Sequence, residues 1–296
     1  MRSFNLNIAG YRLRFESAEG GPDLVPSERF LRNICSEDDS DVLIKVHTGK
    51  YELPKMAEKV FNAPYVEEIN GIQVKRTNRF WSVHRYQNDL YIKTVFPLSA
   101  KTKKAILKYS LNSKSWDLWI ENPVKETDPL EYPLDGLILY YLTVIHGDVM
   151  IHASGINNAG HGYIFSGVSG KGKTTMAKLW DNSGAIVIHD DRLIIRHTGS
   201  GGFVMHNTPV YRNDIPLQSP LHKIFLIEHG QKNELIPVRG AGCISLVMAN
   251  CVQHNWNPEI IARLLGSVSI MCSVVPTSRL IFKPDRNVID LILDNE

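Results

Sequence analysis

Gly167-Val168-Ser169-Gly170-Lys171-Gly172-Lys173-Thr174 fills the GxxxxGK[ST] pattern of a phosphate-binding loop, the Walker A motif. Glycines in such a loop let successive backbone N–H groups turn inward onto phosphate oxygens. The N-terminus of the helix that follows adds partial positive charge. Lys173 would set a mobile point charge against the β- and γ-phosphates, and Thr174 would place its hydroxyl on a Mg²⁺ that bridges them. Residues Gly167 to Thr174, with Thr175 beyond them, are therefore the expected ATP contacts. Lys171 is auxiliary, because the motif does not require its type.

Such a loop implies only that a nucleotide binds, so acidic residues decide whether a metal and a base accompany it. Asp190 and Asp191 follow Thr174 by 16 and 17 residues. One carboxylate can face Mg²⁺ and the other can take the proton of an attacking hydroxyl. Paired acids also suit a solvated turn. His152 stands ahead of the loop; taken alone it reads as a core histidine, made interesting only by a pKa near 6.5.

The elements around these residues follow the order the motif demands. Tyr163 to Ser166 is an apolar strand running into the loop. A helix with Met176, Leu179 and Trp180 on one face runs out of it and closes at Gly184. Ala185 to Ile188 is a strand ending at the acidic pair, expected beside the strand that feeds the loop. Strands are also expected at Val149 to Ser154, Leu193 to Ile195, Phe203 to Met205, Ile224 to Ile227 and Arg279 to Phe282. Leu134 to His146 is almost wholly apolar and closes on Gly147, as a buried helix with a glycine cap would. Asn257-Pro258 starts another helix, and residues 287–293 form a last one.

Residues 1–130 differ in character, with short alternating segments at Phe4 to Phe15, Val42 to Val46 and Trp116 to Ile120 and a hairpin at Phe80 to Val95. Their aromatic residues, Trp81, Tyr91, Trp116 and Trp119 among them, read as core. The polar, proline-bearing stretch 122–129 marks a boundary, giving a smaller β-rich domain at 1–130 and a nucleotide-binding domain at 131–296.

Composition narrows the partners. The 296 residues are 43% hydrophobic and 22% charged, enough for large cores and against disorder. Lys and Arg number 33 against 31 acids, too balanced for a nucleic-acid or membrane surface. No apolar run approaches the roughly 20 residues of a membrane span, and a cytoplasmic protein is expected. Cysteines and histidines lack transition-metal spacing.

The run HASGINNAGHGYIFSGVSGKGKTTMAKLWDNSGAIVIHDDRLIIR, residues 152–196, resembles the catalytic core of the HPr kinase/phosphorylase family and its related kinases. The similarity extends loosely to 207–209, 224–228 and 275–284, over about 134–293 in all. It implies an α/β fold of the HPr kinase and phosphoenolpyruvate carboxykinase type, with His152 as active-site histidine and Lys173 as loop lysine. It further implies Thr174 and Asp190 at Mg²⁺ and Asp191 as the acid that takes the acceptor's proton. Ile215 stands where the family's metal-binding Glu would fall, so phosphorylase activity and HPr as substrate are not implied. The expected activity is ATP-dependent phosphoryl transfer to a hydroxyl, a serine of a peptide or protein partner, by an enzyme that can self-associate. The competing expectation is a catalytically silent ATP-binding module that regulates a partner.

Overall fold

The computed structural model describes residues 1–36, 39–69, 72–96, 103–212 and 214–295. The chain forms two compact units, Met1–Tyr141 with Pro209–Asp214, and Leu142–Thr208 with Ile215–Glu296. The division falls inside a helix rather than at 130/131. That helix, α1 (Leu134–His146), begins in the first unit, where the Tyr141 ring lies 4.5 Å from Tyr109. A sequence apolar on all sides does not reveal which half of the helix packs on which core.

The first unit carries strands β1 (Ser3–Ile8), β2 (Tyr11–Ser17), β3 (Asp23–Leu24), β4 (Ile34–Cys35), β5 (Val42–Thr48) and β6 (Glu58–Ile69). These are followed by β7 (Ile72–Tyr86), β8 (Asp89–Phe96), β9 (Lys103–Tyr109), β10 (Ser115–Ile120) and β11 (Glu126–Thr127). Nine of them make one sheet, ordered β4-β1-β2-β5-β10-β9-β8-β7-β6, while β3 pairs with β11. Period-two alternation decides which face is covered. Phe4, Leu6 and Ile8, then Tyr11, Leu13 and Phe15, then Trp116, Leu118 and Ile120 are all buried. The hairpin expected at Phe80 to Val95 is the inner part of a longer one, because β7 begins at Ile72 and β6 runs ahead of it.

The second unit comprises β12 (Val149–Asn158), β13 (His161–Ser166), α2 (Lys173–Asn182), β14 (Ile186–His189), β15 (Arg192–His197) and β16 (Phe203–Asn207). Then come β17 (Gln218–His229), β18 (Glu234–Val238), α3 (Gly240–Met248), α4 (Pro258–Val274), β19 (Thr277–Phe282) and α5 (Asn287–Leu293). Its eight-stranded sheet runs β13-β12-β15-β16-β17-β19-β18 with β14 branching off on β12, and β13 also pairs in parallel with β17. The pairings from β13 through β12, β15, β16 and β17 thus close on β13.

Side-chain clusters cover both faces of β13 and of residues 224–227 of β17, which is why these stretches read as continuous apolar runs. Ile164 and Ile224 enter a cluster with Leu193, Met205, Val268 and Met271. Tyr163, Phe165 and Phe225 enter another with Met176, Trp180 and Phe282. Met176 and Trp180, fully buried on one face of α2, hold this helix against β13. Each such side chain contributes on the order of 1.5–3 kcal/mol. With one edge of β13 taken by β12 and the other by β17, β14 has no place beside it. It pairs with β12 instead, through Gly155 and His189.

Candidate functional site

The loop between β13 and α2 is held at both ends. Where it starts, the buried Ser166 hydroxyl donates to the His152 carbonyl at 2.9 Å, tying β13 to β12. Where it ends, Gly172 caps α2 with φ 93°, in the left-handed region that disfavours a side chain. A Cβ there would lie 2.8 Å from Phe282 Cζ and 3.0 Å from His229 Cε1. Glycine at 172 is therefore required by backbone conformation and by space together.

The loop opens onto a cleft of about 770 Å³. Gly167, Val168, Ser169, Gly170, Gly172, Lys173, Thr174 and Thr175 line it, facing His152, Asp190 and Asp191. Lys171 does not, its backbone N–H donating to the Val168 carbonyl at 3.2 Å. The Lys173 ammonium donates to the carbonyls of Gly167 at 2.7 Å and Val168 at 3.3 Å. Burial pulls its pKa down, and the charges of Asp190 and Asp191 partly oppose the change. The amine and both carboxylates thus share one electrostatic environment.

Asp190 and Asp191 form the turn from β14 to β15, and a histidine sets its shape. The buried His189 ring accepts, at Nδ1, the backbone N–H of Asp191 at 3.1 Å and of Arg192 at 3.2 Å. This arrangement requires Nδ1 to be unprotonated. Strand β12 supplies the partners of the two carboxylates. His152 and Ser154, two residues apart, project from the same face of the strand. The fully buried Ser154 donates its hydroxyl to Asp190 Oδ1 at 2.5 Å. His152 Nδ1 lies 4.0 Å from Asp191 Oδ1, with 57% and 42% of the two side chains exposed. Asp190 is thereby anchored while Asp191 stays open to whatever enters the cleft.

The remaining walls come from β17 and from the segment after α3. His229, at the end of β17, packs on Phe282 with ring centroids 5.2 Å apart. Ala249, Asn250 and Cys251 run beside β12, with Cys251 bridged to Ile151 and the Asn250 carbonyl accepting the His152 N–H at 3.0 Å. The structure brings together every expected site residue except Lys171. Sequence reasoning missed Ser154, His189, His229 and Asn250. Period-two spacing from His152 could have found Ser154, whereas His229 and Asn250 reach the cleft through strand order alone.

The donors present are oxygens of Thr174, Asp190 and Asp191, one ammonium and a glycine-capped helix N-terminus. Hard oxygen ligands of this kind suit Mg²⁺, which keeps waters and substrate phosphates in the rest of its shell. Among the described residues no group of three His, Cys, Asp or Glu side chains is placed to hold a metal. One or two protein oxygens are all that a phosphate-bound Mg²⁺ needs.

No family model matches the chain, and no curated protein matches it. Among solved structures, the Hpr(Ser) kinase/phosphatase from Coxiella burnetii is similar at 9% identity with a TM-score of 0.29. The match covers 49% of this chain and 94% of that one. This is a distant structural similarity, too slight to say anything of activity. The fold itself is mixed α/β with large sheets, and no described helix is long and apolar enough to cross a membrane.

Proposed function

We propose that the second unit is a P-loop kinase that transfers the γ-phosphoryl group of Mg²⁺-ATP to a hydroxyl. A serine of a peptide or protein is the acceptor favoured by the sequence resemblance. The observation that carries this reading is the joint lining of one cleft by the glycine-rich loop, Lys173, Thr174, the two carboxylates and His152.

Mg²⁺-ATP, when bound, supplies the transferable group and neutralises the charge that develops on it. The chain's own residues do the rest. Backbone N–H groups of the loop and the start of α2 hold phosphate oxygens. Lys173 exchanges its two loop carbonyls for phosphate oxygens, a stronger pairing because the acceptor is charged. Thr174 and Asp190 hold the metal, and Ser154 keeps Asp190 in place. Asp191 takes the proton of the acceptor hydroxyl, and His152 beside it orients the acceptor or the phosphate.

The test separates base from binder. Asp191→Asn is expected to leave Mg²⁺-ATP affinity nearly unchanged and to slow transfer by roughly 10²- to 10⁴-fold. Thr174→Ala is expected to weaken metal-dependent binding itself. Calorimetry reads the first quantity, and label from ATP captured on hydroxyl-bearing peptides reads the second. No labelled acceptor, with ATP tightening a partner equally in wild type and Asp191→Asn, would replace the kinase by an ATP-regulated binding module.

A further inference from the structure

In the first unit, β6 to β9 form a groove of about 330 Å³ on one side of the sheet, lined by Lys59, Lys93, Lys104, His84, Asn62 and Ser82. Cross-strand register assembles it: Lys59 stands opposite His84, Ser82 opposite Lys93, and Val95 opposite Lys104. Residues far apart in sequence thus line one strip.

The strip carries three lysines, two of them without a neutralising partner. Among the described residues neither Lys59 nor Lys93 has a carboxylate within ion-pair distance, while Lys104 is ion-paired with Glu121 at 3.7 Å. His84 responds to this field: burial lowers its pKa first, and the charges of Lys93 and Lys59 lower it further. All three lysines are exposed, ready to meet a ligand.

Strand spacing defines the shape of that ligand. Lys59 on β6 and Lys104 on β9 are three strand gaps apart, roughly 14 Å at about 4.8 Å per gap. A single carboxylate cannot serve all three lysines. An extended peptide places alternate side chains about 7 Å apart on one face, so several carboxylates along it can span the strip.

We infer that this groove docks an extended acidic segment of a polypeptide partner, with carboxylates on Lys59, Lys93 and Lys104. A nucleic acid fits less well, because its bases need open aromatic faces to stack on. The rings here are engaged elsewhere, Phe80 with Tyr132 at 5.4 Å and Trp81 with Phe61 at 5.0 Å. This inference does not rest on the kinase reading, and either can fail alone.

Fluorescence anisotropy on the full chain tests it, with a fluorescein-labelled eight-residue peptide alternating Glu and Thr. Its Gln-for-Glu counterpart and an eight-nucleotide oligothymidylate serve as competitors. The acidic peptide is expected to bind at least about tenfold tighter than either, and Lys93→Glu to weaken it by at least about tenfold. Lys178→Glu, on the exposed face of α2, should leave it unchanged. Reductive methylation of the wild-type protein adds a readout that needs no variant: the peptide should slow modification of Lys59, Lys93 and Lys104 but not of Lys178. Equal binding of the Gln peptide, tighter binding of the oligonucleotide, or unprotected lysines would overturn the proposal.

Discussion

The two units solve the same burial problem with large, mostly antiparallel sheets, yet they present polar chemistry in different ways. In the second unit it gathers at turns: the loop between β13 and α2, and the two-residue turn between β14 and β15. Neighbouring side chains such as Ser154 and His189 hold the acidic turn in shape. In the first unit the charged side chains stand on the face of β6 to β9, aligned by register, with no backbone cradle. A turn site holds a small, highly charged group in one geometry; a sheet-face groove suits a longer ligand read by spacing. The contrast teaches that glycine geometry specifies the first kind of site and strand alignment the second.

The sharpest challenge to this division is a large deletion in the first core. Trp116 is fully buried, and its Nε1–H donates to the Ser113 carbonyl at 3.0 Å. Trp116→Ala should cost about 3–5 kcal/mol. Urea unfolding followed by circular dichroism measures it, and Mg²⁺-ATP affinity below the midpoint should hold. Loss of affinity there would mean that the two units are energetically one.

Next in size is Gly172→Ala, which meets both a left-handed backbone and a Cβ contact of 2.8 Å with Phe282. A cost of about 1–3 kcal/mol follows, spent in the loop and α2. Nucleotide affinity should fall roughly 10- to 100-fold, while binding of an acidic peptide to the first unit should not change. Retained ATP affinity would show that the loop does not hold phosphate.

His189→Gln tests the turn more gently. Loss of the ring nitrogen that accepts two N–H groups frees the Asp190-Asp191 turn. Phosphoryl transfer should drop by about tenfold with little change in ATP affinity. If kcat is unaltered, the turn is held without His189.

A pH dependence of stability probes the second unit further, through His206. Burial, helped by the Arg196 charge, pushes His206 down from its ordinary 6.5 to about 4. The unfolded chain then binds a proton that the folded ring refuses, so stability declines as pH drops from about 6.5 to about 4. Below that window the His206 contribution levels off, while that of His254, which burial lowers to about 3, continues. His206→Gln should reduce the slope measured by denaturation between about pH 6.5 and 4, and an unchanged slope would assign the acid sensitivity elsewhere.

Helices with strong end signals were legible from residue order alone. Asn257 accepts the N–H groups of Glu259 at 2.9 Å and Ile260 at 3.5 Å, and Pro258 opens α4 as its fixed φ requires. α1 likewise ends at Gly147, with φ 72°. By contrast α3 carried no readable signal, because Gly240 and Gly242 disfavour helix and tertiary packing of Cys243 and Val247 overrides them. The full lengths of β6 and β7 were equally hidden in a polar stretch, where pairing rather than local preference makes the strand.

At the candidate site, residue order alone was enough to locate the glycine loop, Lys173, Thr174 and the acidic pair. These are local: a phosphate-binding turn needs glycine at fixed offsets and a helix directly behind it, so spacing along the chain encodes the geometry. Long-range pairing and packing set the rest: β14 against β12, Ser154 on Asp190, and His229 and Asn250 in the cleft wall. Strand pairing also placed Lys59, Lys93 and Lys104 along one groove. Such neighbours are chosen by which strand edges remain after both edges of β13 and β17 are paired, a competition over the whole sheet that no short window of residues contains.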